Sequence, residues 1–244
     1  MAVALHILGA GGSRPPPGYG GPSILVDASD RLLLLDCGEG CLARLEAAGF
    51  GACEVSGVYV SHMHADHLAG LPSLATARQV EGCPSLRLYA APEVAPGIGW
   101  ARRLAPGSVA VEVEALQGPL PLGGGVELHA FPVRHPPPTF GASIRLGGEP
   151  LAAYTADTSY HPSLVAHLRG HEVVVADSTL PSTASGAELE YHMRVGDAWR
   201  LAVEEAGARL AVAFHLTPES AVEARRSGLP RLVVPGEPLT LRLH

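Results

Sequence analysis

The sequence predicts a mixed α/β (α+β) fold in which β-sheets are covered by helices on their outer faces. Three observations predict it: short β-branched apolar runs bounded by Gly and Pro, Ala- and Leu-rich stretches at helical spacing between them, and hairpin-like glycine breaks. In the N-terminal half the strand candidates are residues 2–8, 23–26, 32–35 and 57–60, with helices over 41–48 and 68–80. The pattern then repeats, with strands over 86–90, 109–115, 126–133, 142–146, 151–154, 173–176 and 210–214 and helices over 161–168, 195–206 and 219–227. Gly123-Gly124-Gly125 and Gly147-Gly148 mark the hairpins. No repeat or linker interrupts the chain, and Pro136-Pro137-Pro138 is too short to be one, so residues 1–244 are read as a single domain.

Composition excludes several classes of function. Apolar residues make up 47% and charged residues 17%, without an apolar run near the length that crosses a bilayer, so no membrane partner is expected. Residues 1–8 carry no basic leader before the glycines begin, which predicts a cytoplasmic protein. All 17 basic residues are Arg, the net charge is −7, and the only doublets are Arg102-Arg103 and Arg225-Arg226, read as solvated helix faces. A stable grip on long nucleic acid, which needs clustered positive charge, is therefore not expected. Cys37, Cys41, Cys53 and Cys83 show no CxxC spacing and read as reduced, buried thiols.

Chemistry concentrates in His62-Met63-His64-Ala65-Asp66-His67, where four of six residues are metal-ligand types. After a strand ending at Val60, His62 and His64 project alike, while Asp66 and His67 fall where a helix begins. Three further candidates, His135, Asp157 and His215, follow predicted strands, where loops place side chains on a rigid scaffold. Imidazole nitrogen and carboxylate oxygen suit zinc, and a carboxylate can bridge two ions. Such ions lower the pKa of bound water to about 7 and neutralise oxygen charge developing on phosphorus or a carbonyl carbon. Asp66 could also hydrogen-bond the attacking water.

The run matches HxHxDH, and from Leu5 to about Pro218 the chain resembles the metallo-β-lactamase superfamily. The resemblance implies a four-layer αββα sandwich with the metals at one edge. It also implies the ligand sets: His62, His64 and His135 for one ion, Asp66, His67 and His215 for the other, with Asp157 bridging. Two divalent ions are expected, zinc first, with manganese or iron as alternatives.

Because thioesterases, lactamases, sulfatases and phosphodiesterases share that motif, the branch rests on other segments. Leu8-Gly9-Ala10-Gly11-Gly12, Leu35-Asp36-Cys37-Gly38-Glu39, Asp177-Ser178-Thr179, His192-Met193-Arg194 and Phe214-His215-Leu216-Thr217-Pro218 resemble the RNase Z-like phosphodiesterases. In that branch His192 would contact a phosphoryl oxygen or protonate the leaving alkoxide, with Asp177 orienting its ring. Asp177 stands where the family carries Glu. Only twenty-one residues separate His135 from Asp157, which leaves no room for the long Gly-rich arm of transfer-RNA-processing members.

The expected activity is therefore metal-dependent hydrolysis of a small or cyclic phosphodiester or of a short RNA end, by a monomer or homodimer. Alternatives are a thioester or sulfuric-ester hydrolase, a transfer-RNA 3′-processing endoribonuclease, or a metal-loaded binding or sensory module. Asp36 could accept a hydrogen bond from a ligand histidine, and Glu39 reads as loop charge. His6, His129, His161, His167, His171 and His244 read as solvated or hydrogen-bonded residues without a role in the chemistry.

Overall fold

The computed structural model describes residues 3–28, 31–104, 110–236 and 238–243; Ala2, Val109 and His244 lie outside them. The strands of the first half are β1 (Val3–Gly9), β2 (Ser23–Asp27), β3 (Leu32–Leu35), β4 (Val55–Tyr59), β5 (Leu86–Ala90) and β6 (Val111–Ala115). Those of the second are β7 (Leu120–Gly123), β8 (Val126–Pro132), β9 (Phe140–Leu146), β10 (Glu149–Tyr154), β11 (Val173–Asp177), β12 (Leu210–Phe214) and β13 (Leu232–Val233). A last strand, β14 (Leu239–Leu243), returns to pair with β1, giving sheets ordered β14-β1-β2-β3-β4-β5-β6 and β13-β12-β11-β10-β9-β8-β7.

Both sheets change character midway. Up to β3 in the first and β10 in the second the pairings are antiparallel; β3 to β6 and β10 to β13 are parallel. Parallel neighbours need crossovers, and helices supply them. In the first half these are α1 (Cys41–Ala47), α2 (Leu71–Glu81) and a 3₁₀ segment over Gly97–Arg103. In the second they are α3 (Leu164–Leu168), α4 (Val195–Trp199) running into a π-helical turn (Arg200–Glu205), and α5 (Pro218–Arg226).

Alternation along the strands sorts the core into layers. Ile24, Val26, Leu33 and Leu35 meet Leu128, Ile144, Val173 and Phe214 between the sheets. Leu25 and Leu34 face the other way and pack with Leu45, Leu71 and Leu74 of α1 and α2. On the far side, Ala153, Val174 and Ala211 pack against Leu164, Ala198 and Leu201. The result is the four-layer αββα sandwich. It explains why residues 32–35 read as an unbroken leucine run: a strand covered on both faces has no polar side. Burying each such leucine is worth about 1.5–3 kcal/mol.

Several boundaries differ from the sequence reading. The helix expected over 68–80 begins at Leu71, after Gly70 and ahead of Pro72, and a 3₁₀ turn occupies Ala65–His67. The helix expected over 195–206 changes to π geometry at Arg200. Strands β7, β13 and β14 were not anticipated; β13 is two residues long, and β14 alternates partly buried and exposed positions as an edge strand does.

The expectation of four reduced thiols is corrected: Cys53 and Cys83 form a disulfide, whereas Cys37 and Cys41 are free and buried. The 3₁₀ turn Ala52–Glu54 and the left-handed Gly82 that ends α2 bring the two Cα atoms within 5.1 Å, a separation a disulfide spans. Their thirty-residue separation hid the pair from local spacing rules. Among the described residues, no helix is long and apolar enough to cross a membrane.

Candidate metal centre

The candidate residues follow strand ends that meet at one edge of the sandwich. Past β4, an extended stretch carries His62 and His64, and the 3₁₀ turn carries Asp66 and His67. His135 follows β8, Asp157 follows β10 and His215 follows β12. Three residues here hold left-handed backbone without being glycine: Asp36 (φ 57°) after β3, Ala156 (φ 53°) before Asp157, and His215 (φ 58°). Such conformations cost on the order of 1–3 kcal/mol each and persist where the surroundings enforce them.

The structure brings all seven ligand candidates together. His62, His64, His135 and Asp157 place one donor atom each within 4.8 Å of one another, and Asp66, His67 and His215 do the same. Asp157 sits between the groups, 3.2 Å from His67 Nε2, 3.4 Å from His215 Nε2, 3.6 Å from His62 Nε2 and 3.8 Å from His135 Nε2. His62 Nε2, His67 Nε2 and Asp157 Oδ1 are buried without any hydrogen-bond partner. A buried polar atom left unpaired costs free energy, and here three face one small volume. That is what divalent ions would remedy, so the donor set fits a metal site.

Hydrogen bonds behind the cluster fix which nitrogen of each ring is free. Asp36 Oδ2 accepts from the Ser61 hydroxyl (2.7 Å), His67 Nδ1 (2.8 Å) and the Tyr154 hydroxyl (2.8 Å), and its Oδ1 accepts from Ser61 N (2.8 Å). With its proton given to Asp36, Ser61 Oγ accepts from His62 Nδ1 at 2.9 Å. His135 Nδ1 donates to the Tyr191 carbonyl at 2.9 Å. In each case the Nε2 lone pair is left for the centre. His64 instead offers Nδ1, 3.1 Å from His135 Nε2.

A second carboxylate organises the opposite wall. Asp177 Oδ1 accepts from the Thr179 hydroxyl (2.6 Å) and Thr179 N (2.9 Å), and its Oδ2 accepts from His192 Nδ1 (2.8 Å) and Thr158 N (2.9 Å). Thr179 Oγ1, its proton committed to Asp177, accepts from His215 Nδ1 at 2.8 Å. One carboxylate therefore orients His192 directly and His215 through a threonine. Asp36 was anticipated as a partner of a ligand histidine. Ser61, Tyr154, Thr179 and the Tyr191 carbonyl were not, because a hydroxyl or carbonyl carries no ligand signature of its own and most of these contacts join distant positions.

The electrostatics favour ligand-ready protonation states. Burial lowers the pKa of His62, aided by the charge of His67, and burial likewise lowers those of His64 and His135. Burial would raise Asp66, but the hydrogen bond from His215 and the charge of His67 hold it well below the ordinary carboxylate range. Burial would similarly raise Asp157, yet His215 and His67 hold it low. His67 goes the other way: burial opposes its charge, but Asp157 and Asp36 prevail and raise its pKa. For His192, burial opposes the charge, and the charge and hydrogen bond of Asp177 outweigh it and push the pKa up to about 9.

Among the described residues, the remaining histidines stay outside the cluster. His171 is satisfied by Ser143 Oγ and the Leu168 carbonyl, His129 by Glu127, and His6 Nδ1 by Thr240. His161 bonds Ser163 through Nδ1, and His167 stacks on Phe131.

Comparison with known proteins gives a consistent result. The family model described as the beta-lactamase superfamily domain matches residues 31–216. Ribonuclease Z of Mycobacterium marinum is 44% identical over 69 residues, which cover 28% of this chain and a quarter (25%) of that protein's length. Ribonuclease Z of Mycolicibacterium paratuberculosis is 29% identical over 249 residues, covering 88% of this chain and 86% of that one. Among solved structures, the metallo-beta-lactamase fold protein YhfI from Bacillus subtilis superposes with a TM-score of 0.83 at 22% identity, over 99% of both chains.

Proposed function

The chain belongs to the beta-lactamase superfamily domain family, and we propose that it is a metal-dependent hydrolase acting on phosphodiester bonds, its substrate a small or cyclic phosphodiester or a short RNA end. The observation that carries the reading is His192, held on Asp177 beside the cluster of seven ligand-type side chains, with its ring 5.0 Å from that of His135 and 5.4 Å from that of His215. A thioester hydrolase has no need of a cationic acid at that place, because a thiolate departs without protonation, whereas an alkoxide does not.

On this reading His62, His64 and His135 would hold one divalent ion and Asp66, His67 and His215 the other, with Asp157 available to both. Two ions there would supply a water deprotonated near neutral pH and neutralise charge on the phosphoryl oxygens. His192 keeps its Nδ1 proton on Asp177 and delivers the Nε2 proton to the departing oxygen. Raised to about 9, its pKa leaves that proton in place at neutral pH. Asp66 takes a hydrogen bond from the Ser13 hydroxyl (3.0 Å) and lies 3.0 Å from His215 Nε2, which positions its carboxylate beside the second set of donors. Asp36 and Asp177 keep the rings from rotating.

Substrate size follows from what fills the chain between His135 and Asp157. Strands β9 and β10 and their two-glycine turn take up that stretch, leaving no inserted arm with which to hold a folded RNA. The net charge of −7 also disfavours long polyanions. The second reading, processing of transfer-RNA 3′ ends, is favoured by the ribonuclease Z likeness across most of the chain. The two separate in one assay: metal-loaded protein should hydrolyse bis-p-nitrophenyl phosphate or a cyclic nucleotide while cutting precursor transfer RNA poorly. Efficient, site-selective cleavage of the precursor would overturn the small-substrate reading.

A further inference from the structure

A cavity of about 460 Å³ opens beside His64 and Asp66, walled by Gly12, Ser13, Gly21 and Glu39. Its walls are kept small by packing: a Cβ on Gly12 would stand 2.8 Å from the His215 ring, and one on Gly21 would stand 2.6 Å from Glu39 N. Side chains at either place would disturb the centre or fill the space. The volume lies within the range of small-molecule sites.

The charges around it are one-sided. Glu39 is exposed, and among the described residues its carboxylate has no ion-pair or hydrogen-bond partner, its backbone carbonyl accepting from Gly21 N. The two nearby arginines are committed elsewhere: Arg14 pairs with Glu219, and Arg44, on the far side of Glu39, donates to the Leu8 and Gly18 carbonyls. Among the described residues, the titratable group facing the space apart from those of the centre is thus a carboxylate. It would repel a second phosphate and accept hydrogen bonds from hydroxyls. A quaternary ammonium also suits a carboxylate, but such groups are recognised by aromatic cages, and among the described residues no Trp, Tyr or Phe lines this cavity. The same lack leaves a nucleobase nothing on which to stack.

We infer, resting on the phosphodiesterase reading, that this cavity receives the uncharged, hydroxyl-bearing alcohol moiety of the substrate, of the sugar class, and that Glu39 binds its hydroxyls while rejecting neighbouring phosphates. Glu39 is then a determinant of specificity, and the preference for small diesters over polynucleotides is built into the centre as well as into the missing arm.

Two measurements on the zinc-loaded full chain test this. In calorimetry, the affinity ratio of ribose 5-phosphate to inorganic phosphate should fall about tenfold in Glu39→Ala, the scale for one hydrogen bond to a charged group. Glu39→Gln, which keeps an acceptor, should fall in between. In kinetics, the ratio of KM for the p-nitrophenyl ester of uridine 5′-monophosphate to KM for bis-p-nitrophenyl phosphate should rise about tenfold in Glu39→Ala, with kcat kept. Adding a 3′-phosphate to the uridylyl ester should penalise the wild type more than the variant. Unchanged ratios in both measurements, or equal penalties for the 3′-phosphate, would overturn the subsite. Failure of the wild type to hydrolyse any of these diesters would instead overturn the phosphodiesterase reading, and the ribose 5-phosphate ratio would still decide the subsite.

Discussion

Replacing Thr179 by valine should weaken one metal ion selectively, although Thr179 is not itself a candidate ligand. The substitution is close to isosteric and removes one hydroxyl. In the wild type that hydroxyl donates to Asp177 and accepts from His215 Nδ1 at 2.8 Å. His215 is 2% exposed and Asp177 1%, so water does not replace what is lost. An unpaired buried donor costs about 1–3 kcal/mol, and each 1.4 kcal/mol is a factor of ten, so affinity should fall roughly five- to 150-fold. This agrees with the usual cost of losing a group behind a metal ligand, about ten- to a hundredfold. The assay is competition for zinc against a chromophoric chelator, which resolves two equivalents. The equivalent held by His215 should weaken and the one held by His62, His64 and His135 should stay near wild type. Thr179→Ser, which keeps the hydroxyl, should restore most of the loss. The reasoning fails if serine is as weak as valine, if both equivalents weaken together, or if neither does.

His192→Ala should leave zinc content unchanged and lower turnover of a ribose-releasing diester by roughly a hundredfold or more, and that of a nitrophenyl ester much less, because nitrophenolate needs no proton; a uniform loss would mean that the ring stabilises phosphoryl oxygens instead. Asp157→Ala should lose more metal on dialysis than Asp177→Ala, since Asp157 lies near four histidines while Asp177 reaches His215 only through Thr179; equal losses would mean that the roles are misassigned. For pH, a raised pKa means a proton lost only as pH climbs through it, so the acid form of His192 should fail on an alkaline limb at or below about 9, the nearby dications offsetting part of the contribution of Asp157. A pH profile of His192→Ala that kept this limb would assign it elsewhere. His67, also raised, holds a proton that a metal must displace, so zinc affinity should weaken as pH falls, and proton release on binding checks it.

What the sequence made legible was whatever is local or periodic. The leucine run at 32–35, the apolar β-branched run at 23–26 and the six-residue motif all carry their meaning within a few residues, and their geometry follows. His135, Asp157 and His215 each end a strand, and a strand end is readable even when its neighbours are not. Long-range partners were hidden. Nothing near Tyr154 announces that its hydroxyl reaches Asp36 across 118 positions, and nothing near Cys53 announces Cys83. Strand β13 lacks a pattern because two residues cannot display one, and β14 reads as a tail until β1 is there to pair with it.

The division of the sheets between the two halves of the chain bears on how the protein is made. Residues up to β6 build one sheet and those from β7 to β13 the other, so on the proposed assignment each ion takes two ligands from the first half and one from the second, with Asp157 shared. A nascent chain that has emerged only as far as β6 therefore displays His62, His64, Asp66 and His67 and yet completes neither site. The edge strand β14, which closes the first sheet against β1, is synthesised after the other strands of both sheets. On that assignment, a complete metal site would be formed only once the sheets have docked face to face.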